Sequence, residues 1–440
     1  MKLLRNLYLY SFVQALMFIV ATAGFISPTP VYGEDSLWQA LIGGKPTLYL
    51  RYRFEHVDDE NKNKDANANT LRTALGYRTG LFYDFGAYLE LEDVRHLGGD
   101  DFFDGVNGKT QFPAVIDPED TEVNQAYLSY QGLDKTVFRA GRQIITYRKA
   151  PLHRFIGTVL WRQNWQTFDA FSVANQSLPE TTLSYAFIWN SNRIFGEDNS
   201  LRSDTEMNTH LFNAQYTGLA HAKMEAYGYL IDNQNEDEPG VDFDELDSTK
   251  TFGARVYGAP PVTENIRVLY QAEYANQSDF ADGRRNPGDD REPNDSDYIH
   301  LQLGGSYKIL TAKVDYERLS GDGTYGFQTQ LATGHAFQGW ADKFLKTPRD
   351  GIQDLYFTVS ATAFGAKFMA VYHEFWSDNL DYDYGSEIDL LATYTFMKHY
   401  TVGLKYADYM ADNNTQNTLR NGGSLDKDIS KFWAFAQLQF

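Results

Sequence analysis

The sequence contains no cysteine, so neither disulfide bonds nor thiolate chemistry contributes to its structure or function. Basic residues are also scarce: 39 Lys and Arg stand against 59 Asp and Glu, giving a formal net charge of -20. Nucleic-acid binding needs clustered Lys and Arg, so this deficit argues against such a partner. After residue 33 no stretch is apolar enough to cross a membrane as a helix, which argues against a helical membrane protein.

The one long apolar stretch lies at the N terminus. Two basic residues precede an apolar run over 7–26, and Val31-Tyr32-Gly33 follows just before the first acidic residue. This layout predicts a secretory signal peptide at residues 1–33 and a mature domain at 34–440. An uncleaved anchor helix is the alternative, although Gln14 and two nearby prolines leave its apolar core short for a membrane span.

Apolar and polar residues alternate along most of the mature chain, which is the period of a β-strand. The last strand shows this clearly, because Phe432, Ala434, Ala436, Leu438 and the terminal Phe440 all fall on one face. Eighteen such strands are found and little helix, and an even number is typical of bacterial barrels. We therefore predict an all-β fold: a transmembrane antiparallel up-and-down β-barrel of about 18 strands, in the outer membrane of a Gram-negative bacterium.

The connections between these strands alternate between short and long. Short ones lie near Gly80 and at 131–135, 175–180, 218–221, 258–264, 307–311, 362–365 and 396–400. Long polar ones lie at 58–69, 95–118, 145–164, 190–207, 232–247, 277–296, 320–351, 377–385 and 411–428. Outer-membrane barrels have tight periplasmic turns and longer external loops. A soluble β-sandwich or propeller, the alternative, has no reason to keep all its long loops at one end.

Charged strand residues should face the lumen, because one Arg or Lys on the lipid face near the midplane costs about 2 to 4 kcal/mol. Strand parity places eleven basic residues on the inner face: Arg51, Arg53, Arg72, Arg78, Arg139, Lys223, Arg255, Arg267, Lys313, Lys405 and Lys431. It places nine acidic residues there too: Asp84, Glu90, Glu92, Glu225, Glu273, Asp315, Glu317, Glu387 and Asp389. A barrel of this size leaves an aqueous channel, which we expect these side chains to line.

Two motifs with possible chemistry are weak. Gly321 to Gly326 matches a dinucleotide-binding glycine pattern, but no amphipathic helix follows it, so an extended loop tip is the better interpretation. The nine histidines are scattered without zinc-ligand spacing. The acidic segment 232–247 has no basic residue, and structural Ca²⁺ on such external loops is an alternative to a solvated loop. We otherwise expect no cofactor.

Two other classes of function stay open. An outer-membrane hydrolase would need a Ser, a His and an acid on neighbouring strands, with His300 or His373 as a candidate base. A surface-binding or adhesion barrel with a blocked pore would act through its acidic loops. Measurable single-channel conductance separates both alternatives from a channel.

Two stretches resemble the alginate-export family of outer-membrane porins. One runs from Gly334-His335-Ala336-Phe337 through Gly339-Trp340-Ala341-Asp342 to Thr347-Pro348. The other runs from Gly141-Arg142-Gln143 through Arg154-Phe155-Ile156-Gly157 and Trp161-Arg162-Gln163-Asn164 to Phe168-Asp169. This resemblance implies a monomeric eighteen-stranded barrel that passes an anionic uronate polysaccharide along a lumen lined with Arg and Lys. The inner-face charges, however, are nearly balanced in sign.

The sequence and the resemblance together predict a non-enzymatic channel for hydrophilic, anionic solutes or a linear uronate-type polysaccharide. We expect a monomer surrounded by outer-membrane lipid and lipopolysaccharide, with a constriction narrowed by the loops at 95–118 and 320–351. Arg142 is included among the pore residues on the strength of the motif, although parity sends it to the lipid side unless Gly141 forms a bulge.

Overall fold

The computed structural model describes residues 36–199, 202–234, 248–281, 294–412 and 425–440. The predicted signal peptide and most of the acidic segment 232–247 lie outside these ranges. A short helix, α1 (Leu37–Ile42), precedes eighteen strands. The strands are β1 (Lys45–Asp59), β2 (Ala66–Arg78), β3 (Phe85–Asp101), β4 (Asp120–Leu133), β5 (Thr136–Gln143), β6 (Thr167–Asn175), β7 (Thr181–Asn192), β8 (Asp204–Tyr216), β9 (Lys223–Ile231), β10 (Thr249–Gly258), β11 (Ile266–Asp279), β12 (Asp295–Tyr307), β13 (Leu310–Leu319), β14 (Ile352–Ala363), β15 (Ala366–Trp376), β16 (Asp383–Phe396), β17 (Tyr400–Ala411) and β18 (Ile429–Gln439).

The strands form one closed antiparallel sheet. Each strand pairs with its neighbours in the sequence, and β1 pairs with both β2 and β18, so the ring has no free edge. This confirms the predicted 18-stranded up-and-down barrel. Within the described residues, no helix is both long enough and apolar enough to span a membrane.

Two-residue alternation decides which side chains face outward. Leu128 and Leu303 are about 60% exposed on the outer face (62% and 61%), whereas Arg53 and Glu55 are fully buried on the inner face. In β18 the apolar Phe432 faces outward while Lys431 and Trp433 are buried inside. Burying the ionic face and exposing the apolar face is the reverse of a soluble protein and suits a barrel in lipid.

The short and long connections lie at opposite ends of the barrel, and their limits differ slightly from prediction. β3 begins at Phe85 rather than near residue 81, because Tyr83 and Asp84 adopt positive φ angles (48° and 65°) in a tight turn. The loop ends of β1 and β2 extend further than predicted: β1 reaches Asp59 and β2 starts at Ala66, so the expected long connection 58–69 shrinks to residues 60–65.

The core of the protein lies inside the loop end of the barrel. Residues 144–166 form luminal loop 1 and residues 320–351 form luminal loop 2; both fold into the lumen. Phe155 of loop 1 packs against Phe327 of loop 2 at 6.1 Å between ring centroids, and the Gly157 N–H donates to the Leu331 carbonyl at 2.8 Å. Loop 2 and the buried part of 95–118 fold inward as predicted, whereas loop 1 was expected to be external.

Candidate functional site

Luminal loop 1 crosses the whole lumen. At one end, Arg51 of β1 donates hydrogen bonds to the carbonyls of Leu160 (2.7 Å) and Arg162 (2.5 Å). At the other end, Arg148 of the loop pairs with Glu225 of β9 (3.2 Å) and Glu273 of β11 (2.5 Å). In an 18-stranded ring, β1 lies opposite β10, so the loop is held at both walls and narrows the path between them.

Three arginines predicted to line the pore instead hold this loop. Arg53 donates to the Trp161 carbonyl and to Asp117, and Arg72 donates to Glu92 and to the Gln163 carbonyl (2.5 Å). Arg51, Arg53 and Arg72 are all buried, the last two completely. Strand parity correctly predicted that they face inward, but it could not show that loop carbonyls cover them. Each guanidinium is bound by at least one loop carbonyl, and the carboxylates of Asp117 and Glu92 neutralise Arg53 and Arg72.

Acidic side chains of β13 and β16 also fix the luminal loops. Glu317 of β13 pairs with Arg154 of loop 1 (2.9 Å) and accepts a hydrogen bond from Gln338 of loop 2 (2.5 Å). Glu387 and Asp389 of β16 accept the backbone N–H groups of Ala341 (2.7 Å) and Trp340 (3.2 Å) respectively. These predicted pore acids therefore bind loop atoms in this structure.

The two luminal loops meet at Asp342. Its carboxylate contacts Arg162 of loop 1 (3.3 Å), Lys431 of β18 (2.8 Å) and His335 of loop 2 (2.6 Å). Burial alone would raise the pKa of Asp342, but His335, Lys431 and Arg162 together lower it well below its usual range. Asp342 is thus a buried anion shared by both loops and the barrel wall, and we call this cluster the loop latch.

His335 completes the loop latch as a neutral ring. Burial lowers the pKa of His335 to about 3, and the ring accepts a hydrogen bond from Lys405 of β17 at 2.5 Å. Trp161 stacks on the imidazole with centroids 4.9 Å apart, and the Lys405 ammonium lies 3.8 Å from the ring of Trp340. Lys405, predicted to line the pore, is therefore buried in an aromatic cage.

The inner wall of the periplasmic half, which we call the vestibule, has a different charge balance. Its exposed or half-exposed charged side chains at strand positions are Lys45, Arg78, Arg139, Lys223, Arg255, Arg267, Lys313 and Lys367. The described acids on the same wall, Glu90, Glu225, Glu273 and Asp315, are all buried. Glu90 accepts hydrogen bonds from Tyr88 and Asn124 at 2.6 Å each, and Asp315 contacts His300 (2.9 Å) and Lys313 (3.0 Å). The accessible charge of this wall is basic although the whole chain is acidic.

Arg78 and Arg139 are the clearest cationic groups of the vestibule. The Arg78 guanidinium lies 4.6 Å from the centre of the Tyr88 ring, and the Arg139 guanidinium lies 5.3 Å from that of Tyr127. Cation–π contacts hold both groups without neutralising them. Among the described residues, neither guanidinium has a carboxylate within ion-pair distance. By contrast, Arg255 is partly neutralised by Glu225 at 3.1 Å.

Arg142 does not belong to the pore, and its placement from the motif is wrong. It pairs in register with Ala126 and Asp169 on the outer face, and its Nε lies 2.9 Å from the Asp169 carboxylate. Gly141 has a positive φ of 121°, but no extra residue is inserted, so the alternation is not reset. Strand parity gave the correct side. The ion pair with Asp169 compensates the charge near the loop end of the strand.

Sequence reasoning gave no anchoring role to the residues that hold the luminal loops: Asp117, Arg148, Arg154, Arg162, His335 and Asp342. The last four lie in the two motifs that carry the family resemblance. A compositional signal was available for loop 1, because residues 144–166 contain four basic residues and no acidic one, whereas every other long connection contains acidic residues. Such a segment is complementary to Glu225, Glu273 and Glu317 on the inner faces of β9, β11 and β13.

The two candidate histidines each contact a carboxylate of a neighbouring strand. His373 contacts Asp354 at 2.9 Å, and His300 contacts Asp315 at 2.9 Å. In the described ranges, no group of three or more metal-ligating side chains is placed to hold an ion.

Comparisons with known proteins agree with this architecture. The model of the alginate export family matches residues 47–292, more than half of the chain. This range includes the 141–169 motif and loop 1 but not the motif at 334–348. No curated protein matches the sequence significantly.

Similar solved structures share the fold at low sequence identity. OccAB4 of Acinetobacter baumannii has a TM-score of 0.66 and 13% identity, covering 90% of this chain and 98% of that chain. OccD3 (OpdP) of Pseudomonas aeruginosa has a TM-score of 0.65 and 14% identity, covering 94% and 95%. OpdK of the same organism, solved with vanillate, has a TM-score of 0.66 and 12% identity, covering 91% and 99%.

The family match, the closed barrel and the ionic inner wall all indicate the same kind of protein. The protein is a Gram-negative outer-membrane β-barrel and a channel for hydrophilic solutes. Its sequence match places it within one family: the chain belongs to the alginate export family.

Proposed function

We propose that the protein conducts anionic hydrophilic solutes by diffusion and makes or breaks no covalent bond. The observation that carries this proposal is the sign of the accessible charge in the vestibule. Eight Lys and Arg side chains are reachable there, whereas every described acid on that wall is buried. Fixed cationic charge in a narrow aqueous path concentrates anions and excludes cations.

The solute we propose is a carboxylate, either small or part of a linear uronate-type chain. Guanidinium groups match carboxylates geometrically, and Arg78 and Arg139 present this group without a competing acid. Beyond the vestibule the solute meets loops 1 and 2, whose own charges are paired. Passage through this region therefore depends on the loop latch.

The remaining assignments complete the proposal. We propose removal of residues 1–33 as a signal peptide, leaving a single barrel domain over 34–440. The barrel acts as a monomer in contact with outer-membrane lipid and lipopolysaccharide. It needs no cofactor for conduction, and Ca²⁺ on the acidic segment 232–247 is at most structural.

Reversal potentials in planar bilayers under a KCl gradient test the proposal. Wild type should prefer chloride, and Arg78→Gln with Arg139→Gln should shift the reversal potential toward cation preference, because two unneutralised charges leave the vestibule. Arg142→Gln is the matched control, since it makes the same change on the same strand as Arg139 but on the outer face. A cation-selective wild type, or equal shifts in R139Q and R142Q, would contradict the proposal.

A further inference from the structure

Each of the eight short periplasmic connections exposes a large apolar side chain, at its tip or, between β4 and β5, at the strand end beside it. Phe364 is 99% exposed, Met397 78% and Tyr83 76%. The other five connections expose Leu133, Leu178, Leu219, Val262 and Ile309. Trp38 of α1, next to the same rim, is 68% exposed. We call these nine side chains the rim ring. The described long connections, though far longer in total, expose only Val106, Leu152, Leu345 and Leu380 in this way.

Three members of the rim ring occupy backbone positions that disfavour them. Tyr83, Phe364 and Met397 have φ angles of 48°, 55° and 49°, and the next residue in each turn also has a positive φ. Turns with two successive positive φ angles prefer Asn, Asp or Gly at the first of these positions, because a bulky side chain is strained there. These side chains gain little or no burial within the chain in return. Such a local conflict is expected where a residue serves an external contact.

The rim ring is continuous with the lipid-facing wall. On β12 the exposed outer residues Leu301, Leu303 and Tyr307 lead directly to Ile309, and on β14 Phe357 and Val359 lead to Phe364. No charged residue interrupts either outer row before the turn. Helix α1 also lies on the outer side, because the outward-facing Tyr77 of β2 donates a hydrogen bond to the Leu41 carbonyl at 2.6 Å.

We propose that the rim ring is embedded in the periplasmic leaflet and that its occupant is phospholipid. The continuity with the outer wall selects lipid over a periplasmic protein, which would bind a surface separated from the membrane. Charged neighbours such as Asp84, Lys308 and Lys398 then lie at headgroup level, where apolar and polar groups are both accommodated. The vestibule mouth consequently opens level with the lipid headgroups.

Site-directed spin labelling tests this directly, because the chain has no cysteine of its own. Nitroxides at Phe364→Cys and Met397→Cys are compared in phospholipid vesicles for collision with oxygen and with a water-soluble nickel chelate. Leu303→Cys is the lipid-facing reference. Leu380→Cys is the matched control, an exposed leucine in the long connection between β15 and β16. The rim labels should resemble Leu303→Cys, with an oxygen-to-nickel ratio several-fold above Leu380→Cys; ratios equal to that control would overturn the proposal.

A second variant separates lipid contact from turn geometry. Asn suits positive φ better than Phe or Met, so Phe364→Asn with Met397→Asn improves the turns themselves. If the rim ring is in lipid, the urea midpoint of unfolding from vesicles should nevertheless fall, because two apolar contacts are lost. An unchanged or higher midpoint would contradict embedding. Neither experiment depends on ion selectivity, so lipid embedding of the rim ring and the proposed anion conduction can be refuted independently.

Discussion

The loop latch predicts that one neutral substitution opens the constriction. Asp342→Asn keeps the size of the side chain but removes the anion shared by Arg162, Lys431 and His335. Arg162 retains Glu55 at 3.5 Å and Asp117 at 3.9 Å, whereas Lys431 has no other carboxylate within ion-pair distance among the described residues. Asn can accept one of these hydrogen bonds but cannot neutralise either cation.

The magnitude follows from burial. Arg162 is 8% exposed and Lys431 4%, and removing one partner of a buried ion pair costs about 3 to 5 kcal/mol. The barrel strands do not depend on Asp342, so the cost falls on the closed position of the two loops. Even a loss of about 3 kcal/mol raises the equilibrium ratio of released to closed loops by roughly a hundredfold relative to wild type, since about 1.4 kcal/mol corresponds to a factor of ten.

Single-channel recording is the assay. Asp342→Asn should show higher conductance or frequent transitions to a larger open level. The electrophoretic mobility of the unheated barrel should match that of wild type, because the strands stay folded. Asp381→Asn is the matched control: the same chemical change on an exposed residue of another long connection. Wild-type currents from D342N would refute the latch, as would equal effects of D342N and D381N.

Three further predictions follow from individual contacts. Arg51→Met should expose the backbone around residue 162 to hydrogen exchange at least tenfold faster, because three hydrogen bonds to loop 1 disappear; unchanged exchange would contradict the anchoring. Since the pKa of His335 falls from 6.5 in the unfolded chain to about 3 when folded, stability should decrease by about 1.4 kcal/mol per pH unit as pH is lowered from 6.5 to 4. His335→Gln should reduce that slope in urea titrations, and an identical slope would disprove the assignment. Asp169→Asn should lower the free energy of unfolding by less than about 1 kcal/mol, because its pair with Arg142 is partly exposed; a larger loss would mean that this pair is desolvated.

The sequence predicts the barrel well because the alternation of inward and outward side chains can be read from neighbouring residues alone. Alternation along a strand is decided residue by residue, and lipid penalises every misplaced charge. The clearest case is Arg142, where parity placed the side chain correctly and the family motif misled. The β3 start was misjudged because Tyr83 and Asp84 continue the alternating pattern through a turn that only their backbone angles reveal.

The constriction was less predictable because it depends on contacts between distant segments. Strand parity correctly placed Arg53 and Arg72 on the inner face. Parity does not say whether a side chain on that face contacts water or another part of the chain. The loop acceptors that cover them come from residues 117, 161 and 163, which no periodicity connects to β1 or β2. The lack of acid in loop 1 was the available clue.

The most direct test of the central claim measures the local potential of the vestibule. Ser172 lies on the inner face opposite Arg139 in the β5–β6 register. Ser172→Cys in lipid vesicles is treated with anionic and cationic methanethiosulfonate reagents, and the ratio of the two modification rates is compared with that of the urea-unfolded protein. A water-filled vestibule with basic walls predicts that the ratio of anionic to cationic modification rates is several-fold higher than in the unfolded protein. A preference for the cationic reagent, or no reaction with either, would contradict the account.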